Sequence, residues 1–296
     1  KLDKTFVREN PKQFISDRYK NEKLYIDYTG GTTGKPTPIY MSRKVMRQYY
    51  AIYEARLKRW LGLSYKDRWG IFGGKKVIPL DQKSPPYWVL NKGLNQLYFS
   101  IFHINQSTAN EYVAALWQYQ PKYLMVYPSA LAILSKVILD DQRKLPSIQA
   151  VITNSERLTS RYRKLIEEAF NCPVIETYGM AEMVTGANQC SSGAMHTWPE
   201  VGLIEIYDPY RGEFYSQDHS GLLCFTSLLN EVMPLIRYIN HDVGSLPYWD
   251  GVCSCGRSLP ILGPIRGRSN DLILTNDGRE LYILDSLFNG LPIVEG

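Results

Sequence analysis

Tyr28-Thr29-Gly30-Gly31-Thr32-Thr33-Gly34-Lys35-Pro36-Thr37 sits between two short apolar runs, Leu24 to Tyr28 and Ile39 to Met41. Its glycines permit backbone turns closed to other residues. The threonine hydroxyls and the Lys35 ammonium are groups that suit phosphate oxygens. The stretch therefore reads as a loop that cradles a polyphosphate. It is not the loop of a P-loop NTPase, in which the glycines open a helix directly and the lysine is followed by Ser or Thr. Lys35 is followed by Pro36, and a short strand separates the loop from the next helix. Ser42 caps that helix, whose Val45, Met46, Tyr49, Ile52, Tyr53, Leu57, Trp60 and Leu61 recur at helical spacing as a core-facing stripe.

Working outward, Lys1 to Lys20 is polar and basic without a clear period and reads as a surface segment. From Ser107 to Tyr178 the pattern alternates. Helices are expected from Ser107 or Thr108 to Tyr119, from Pro128 to near Asp140 and from Thr159 to Phe170. Strands are expected at Tyr123–Tyr127, Gln149–Thr153 and Val174–Thr177. Strand, helix, strand at this spacing gives parallel strands with helical crossovers, whose ligands bind outside the carboxyl ends of the strands. Pro128-Ser129, Asn154-Ser155-Glu156 and Tyr178-Gly179 fall at those ends. Gly202 to Gly278 changes to short strands and frequent turns.

Composition sets bounds. A chain of 296 residues with 44% hydrophobic and 21% charged residues matches an ordinary globular protein, with no signal-peptide pattern and no apolar run long enough to span a membrane. The cytoplasm is the expected location. A net charge of +5, with Lys and Arg spread along the chain, argues against nucleic acid as a partner and suits an anionic ligand. Five cysteines at uneven spacing do not form a secreted disulfide scaffold. Cys190, His196, Cys253 and Cys255 are a suitable donor set for tetrahedral structural zinc, the alternative being unmetallated thiols used in packing. Cys172 and Cys224 read as core.

The glycine loop resembles the phosphate loop of the adenylate-forming superfamily of acyl-CoA synthetases, (S/T)SGTTGxPK, with Gly31 where serine is common. Glu176-Thr177-Tyr178-Gly179-Met180-Ala181-Glu182 resembles that family's YGxTE motif, with alanine in place of threonine. Pro234-Leu235-Ile236-Arg237-Tyr238-Ile239-Asn240-His241-Asp242-Val243-Gly244 resembles PLIRYRTGDxG, departing at Ile239, Asn240 and His241 where Arg-Thr-Gly is usual. Gly267-Arg268-Ser269-Asn270-Asp271 resembles the GRxDD hinge. A CxCGR segment before the hinge narrows the resemblance to the phenylacetate-CoA ligase-like, CapK-type group, and that resemblance implies zinc there.

The resemblance implies an α/β fold, the large N-terminal domain of an adenylate-forming enzyme, with parallel sheets, helical crossovers and a smaller β subdomain. Expected divisions are an adenylation core over 1–200, a β-rich subdomain over 201–267, and over 268–296 the hinge and the start of a C-terminal domain. That domain, roughly 100 residues and able to fold alone, supplies the adenylation lysine in the family, and no residue of this chain takes its role. The resemblance further implies an ATP-dependent, AMP-forming ligase that adenylates a carboxylic acid and passes the acyl group to a thiol, coenzyme A first among them. Thr29, Thr32, Thr33 and Lys35 would neutralise phosphate charge, and Gly30, Gly31 and Gly34 would shape the cradle. Glu182 would hold Mg2+. Tyr178 and Gly179 would lie near adenine, with Asn154, Ser155 and Glu156 in the nucleotide-contacting turn. Asp242 would accept from the ribose hydroxyls and Arg268 would touch ribose or phosphate. Phe102, His103, Tyr127, Pro128 and Ser129 would border the acid, with Tyr123 also a candidate for an aromatic-sized pocket. A homodimer is a further expectation. Two alternatives stay open: a catalytically impaired nucleotide-binding homologue, and an adenylating enzyme serving an amine or hydroxyl acceptor in polysaccharide or antibiotic assembly.

Overall fold

The computed structural model describes residues 2–29 and 36–268, and beyond them the backbone of strands Leu272–Leu274 and Glu280–Tyr282. The chain forms two compact units, neither of which is a single contiguous half. One comprises Ala51–Gly179 with Asn188–Cys190, and the other comprises Lys1–Tyr50, Met180–Ala187 and Ser191–Gly296.

The Ala51–Gly179 unit is built on alternation. Strands Gln96–Ser100, Trp69–Gly73, Tyr123–Val126, Ala150–Thr153 and Val174–Gly179 lie side by side in that order, all parallel. Trp88–Asn91 adds an antiparallel edge. Ala150–Thr153 is buried along its whole length, as a strand covered on both faces must be. Helices α3 (Ala109–Tyr119), α4 (Pro128–Asp140) and α5 (Ser160–Phe170) provide crossovers. Their ends follow from sequence. Pro128 occupies the first helical turn of α4, where its missing N–H costs nothing. Thr159 caps α5 by accepting from the Tyr162 N–H, and Asn171 closes it in the left-handed region. The core is continuous, with Phe72 and Phe99 stacked at 4.4 Å and Tyr112 against both.

Because these strands are parallel, their carboxyl ends share one edge of the sheet. This separates two tyrosines treated together at the outset. Tyr127 follows the last residue of its strand and lies on that edge. Tyr123 opens the same strand at the opposite edge, stacked on Trp69 under the Lys58 ammonium, and is core. Four residues of extended chain, about 13 Å, divide them.

In the other unit an antiparallel sheet runs Tyr238–Leu246, His219–Ser227, Gly202–Asp208, Glu213–Tyr215. Gly267–Arg268 pairs with Tyr238–Leu246, setting Arg268 opposite Asp242. The amino-terminal segment is not the loose surface stretch expected. Leu2–Asp3 joins the sheet as a parallel strand beside Tyr238 and Ile239. Asp3 then caps helix α1 (Lys4–Glu9), which buries Val7 completely. A hairpin pairs Tyr25–Tyr28 with Pro38–Met41. Helix α2 (Arg43–Tyr53) follows, with the Ser42 hydroxyl accepting from the Val45 N–H as expected.

Candidate active site

The glycine-threonine stretch joins the two strands of that hairpin in sequence. Its base is closed by Thr29 and Thr37: the Thr29 N–H donates to the Thr37 carbonyl at 3.0 Å, and the Thr37 N–H donates to Thr29 Oγ1 at 3.1 Å. Thr29 is therefore a buried latch at the loop's root. Gly30, Gly31, Thr32, Thr33, Gly34 and Lys35 lie outside the described residues, as does Asp271.

Glu182 lies in a tight turn in which the Met183 N–H donates to the Met180 carbonyl. Met183 takes a left-handed φ of +52°, a cost borne by few non-glycine residues. Gly202 allows this segment to lie against the sheet, since a Cβ there would stand 1.9 Å from the Val184 carbonyl oxygen. The turn aims Glu182 inward, leaving the residue 3% exposed. A buried carboxylate needs partners. It has the Tyr238 hydroxyl, which donates to Oε1 at 2.7 Å, and the Lys4 ammonium, 3.5 Å from the same oxygen. Among the described residues nothing bonds Oε2. Burial and the Glu182 charge push the Tyr238 phenol far above its ordinary range, so it stays a donor.

Asp242 lies four residues along the strand from Tyr238. Between them Leu222 pairs with Val243 but Cys224 pairs with Ile239, so the strand carries extra residues and bulges. His241 adopts φ +71° in the bulge, at the position where the resemblance has glycine. Its Nε2 lies 3.1 Å from Asp3 Oδ2. Burial alone would raise the Asp3 carboxyl, but hydrogen bonds from Thr5 and the His241 contact outweigh it and hold Asp3 below its ordinary value. Asn240 Nδ2 donates to Asp242 Oδ2 at 2.6 Å, and Arg268 Nε lies 3.4 Å from Asp242 Oδ1. The unit thus brings Glu182 and Asp242 onto one strand's network, with Arg268 attached. Tyr238, Lys4, Asp3 and Asn240 were not singled out from sequence. Tyr238 and Asn240 stood inside a quoted motif, while nothing in the spacing of Asp3 or Lys4 could have revealed them.

A second cluster of the same unit holds His196, Cys253 and Cys255, whose ligand atoms lie within 4.8 Å of one another. His196 Nδ1 lies 2.9 Å from the Leu259 carbonyl, an acceptor, so Nδ1 carries the proton and Nε2 presents its lone pair, 3.4 Å from Cys255 Sγ. Cys253 and Cys255 sit on a tight turn closed by Gly256 at φ +82°. Hydrogen bonds from the Cys255 N–H and from Ser192 draw the Cys253 thiol down to about 5. Thiolate sulfur and an imidazole fixed through its far nitrogen are what a zinc ion requires. Cys190 belongs to the other unit, one residue before the boundary at Ser191.

In the Ala51–Gly179 unit, His103, Tyr127 to Ser129, Asn154 to Glu156 and Tyr178-Gly179 follow or end successive parallel strands along one edge. The Ser129 N–H, unpaired within the first turn of α4, donates to Glu156 Oε2 at 3.1 Å, so Glu156 also caps a helix. Ser155 takes φ +64°. His103 is buried, stacked on Tyr87, with Nδ1 2.8 Å from Ser100 Oγ; its Nε2 has no partner among the described residues. Phe102 is half exposed.

A sequence model described as AMP-binding enzyme matches residues 4–228. The chain belongs to the AMP-binding enzyme family. Within that family it is 29% identical to Protein CapK of Staphylococcus aureus over 251 residues, covering 80% of this chain and 51% of that protein. It is 25% identical to the phenylacetate-coenzyme A ligase of Thermus thermophilus over 272 residues, 86% of this chain and 57% of the ligase. The chain spans between half and two thirds of the length of the curated relatives it matches. Its α/β fold is shared with 2-hydroxyisobutyryl-CoA ligase in complex with an acyl adenylate, at a TM-score of 0.70 and 20% identity over 95% of this chain and 60% of that one. An anthranilate CoA ligase shares it at a TM-score of 0.58. Among the described residues no helix is long and apolar enough to cross a membrane.

Proposed function

We propose that this chain is the nucleotide-binding part of an ATP-dependent, AMP-forming ligase. A substrate carboxylate attacks the α-phosphorus of ATP, pyrophosphate leaves, and a thiol, coenzyme A, takes the acyl group from the adenylate. The observation that carries this reading is the network of Glu182, Tyr238, Asp242 and Arg268 in a chain of the AMP-binding enzyme family. Asp242 is acceptor-only when ionised and suits ribose hydroxyls. Tyr178 and Gly179 serve adenine, Asn154, Ser155 and Glu156 the turn beside it, and Phe102, His103, Tyr127, Pro128 and Ser129 the acid. Thr29 anchors the root of the stretch whose Thr32, Thr33 and Lys35 would neutralise phosphate charge.

Glu182 fits a Mg2+ role: a buried carboxylate with one oxygen unbonded among the described residues and an ammonium beside the other. When bound, Mg2+ supplies charge neutralisation for the departing pyrophosphate. The residues themselves orient the carboxylate and keep water from it. His196, Cys253 and Cys255 suit a structural zinc. A cytoplasmic homodimer completes the reading.

The test is acid-dependent exchange of pyrophosphate into ATP, screened over aryl, fatty and amino acids with the intact protein. Exchange that Glu182→Gln reduces by roughly a hundredfold or more is expected; exchange untouched by that variant removes the metal assignment. A second reading, a nucleotide binder that does not adenylate, is favoured by the occupation of both Asp242 oxygens by Asn240 and Arg268. ATP binding without exchange for any acid would establish it. Hydroxylamine or amine capture of the adenylate, compared with acyl-CoA formation, separates the acceptors.

A further inference from the structure

We propose that Tyr238 is the positioning residue of the metal carboxylate and that Lys4 is a resident counter-cation which the divalent ion displaces. The inference rests on the assignment of Glu182 to Mg2+ and extends it to two residues outside that assignment. Both partners contact the same oxygen: the phenol at 2.7 Å and the ammonium at 3.5 Å reach Oε1. A carboxylate pinned through one oxygen can turn only about that contact. Oε2 is thereby held where a hard cation would meet it.

The two partners differ in how firmly they are held. Tyr238 is fully buried, and its backbone lies within the sheet, paired with Leu2 on one side and Phe225 on the other. Its phenol cannot leave without moving the strand that also carries Asp242. Lys4 opens helix α1 at the sheet's edge, on a flexible stem whose side chain keeps 20% of its surface exposed. An ammonium at 3.5 Å provides the charge a buried carboxylate needs when no metal is there, and a divalent ion arriving with ATP replaces it. The turn holding Glu182 is fixed as well, by Met183 in the left-handed region and by the close approach at Gly202. The carboxylate is thus preset by a donor fixed in the sheet and neutralised by one on a long, partly exposed stem.

The experiment titrates Mn2+ into the ATP-bound protein and reads bound metal by electron paramagnetic resonance, with ATP affinity in chelator measured in parallel. Tyr238→Phe keeps the ring and removes the donor. It should raise the half-saturating Mn2+ concentration about tenfold, a larger change than it makes in metal-free ATP affinity. Lys4→Met should lower that concentration several-fold, since the competitor is gone. Glu182→Gln should abolish the protein's contribution to Mn2+ binding. If Glu182→Gln weakens Mn2+ and Tyr238→Phe does not, the positioning role is overturned while the metal assignment stands. An unchanged value for Lys4→Met overturns the displacement. If Glu182→Gln itself has no effect, the metal assignment fails and the inference with it. Should Tyr238→Phe fold poorly, Lys4→Met at the partly exposed start of α1 still decides the displacement.

Discussion

His241 and Asp3, 238 residues apart in the chain, meet at 3.1 Å across two neighbouring strands. His241 holds a left-handed φ that glycine would hold without strain, and Asp3 at once caps α1 and anchors that histidine. The site's bulge is thus tied to the chain's amino-terminal strand through the Asp3–His241 contact.

Replacing His241 by glycine should relieve backbone strain of about 1 kcal/mol and lose the tie to Asp3. Net stability measured by urea unfolding should change by less than about 1 kcal/mol, while thermolysin cuts the 2–9 segment faster. Unchanged proteolysis would show that the tie does not hold the segment.

The Asp3 carboxyl is depressed below its ordinary value of 3.8, so its contribution exists above that value and is lost as pH falls through the folded one. Unfolding midpoints of the wild type should therefore fall more steeply below pH 4 than those of Asp3→Asn. Parallel curves would remove the coupling.

Gly202→Ala is expected to be severe, because the new methyl would meet backbone oxygens of Val184 and Thr226 at 1.9 and 2.7 Å. Overpacking against backbone rather than a side-chain tip puts the loss at the upper end of about 1–3 kcal/mol. The Glu182 turn should shift with it. A variant melting within a degree of wild type would show that the strand and turn can separate freely.

Metal analysis of the purified protein should find about one zinc per chain, removed by Cys253→Ser and by strong chelators. Loss of the ion should lower Tm by roughly 10 °C, the shift that about 3 kcal/mol produces in a domain of this size. Full stability without metal would return the cluster to packing.

Burial pushes the Cys172 thiol up to about 12 and the Cys224 thiol up to about 11. The fold thus retains protons that the unfolded chain releases near 9, and stability falls as pH rises from 9 toward 11. Cys172→Ala should flatten that decline in denaturant titrations. The same slope in wild type and variant would show that Cys172 is not desolvated.

The parallel half of the molecule was legible because its periods are local. Helical stripes, Pro128 and Thr159 place the elements within one or two residues, and parallel pairing alone puts Tyr127 to Ser129 beside Asn154 to Glu156. What stayed hidden depends on pairs distant in sequence. A two-residue strand at Leu2–Asp3 has no period to detect. The Lys4 to Glu182 contact spans most of the chain. The departure at Asn240-His241 was visible as a change of letters, but only the bulge explains it: His241 occupies glycine's conformation, and Asn240 reaches the carboxylate two residues on. Tyr123 and Tyr127 looked alike in composition and lie at opposite ends of one strand.

The unit that carries Phe102, His103, Tyr127, Asn154 and Tyr178 occupies, but for three residues, the uninterrupted segment from Ala51 to Gly179, whereas Glu182, Asp242 and the cysteine turn all follow it in the chain. One contiguous stretch of coding sequence therefore carries the residues proposed for the acid, together with Asn154 and Tyr178, apart from Glu182 and Asp242. On the proposed function, exchanging that one cassette between relatives should graft a new carboxylate preference while leaving Glu182 and Tyr238 as they are.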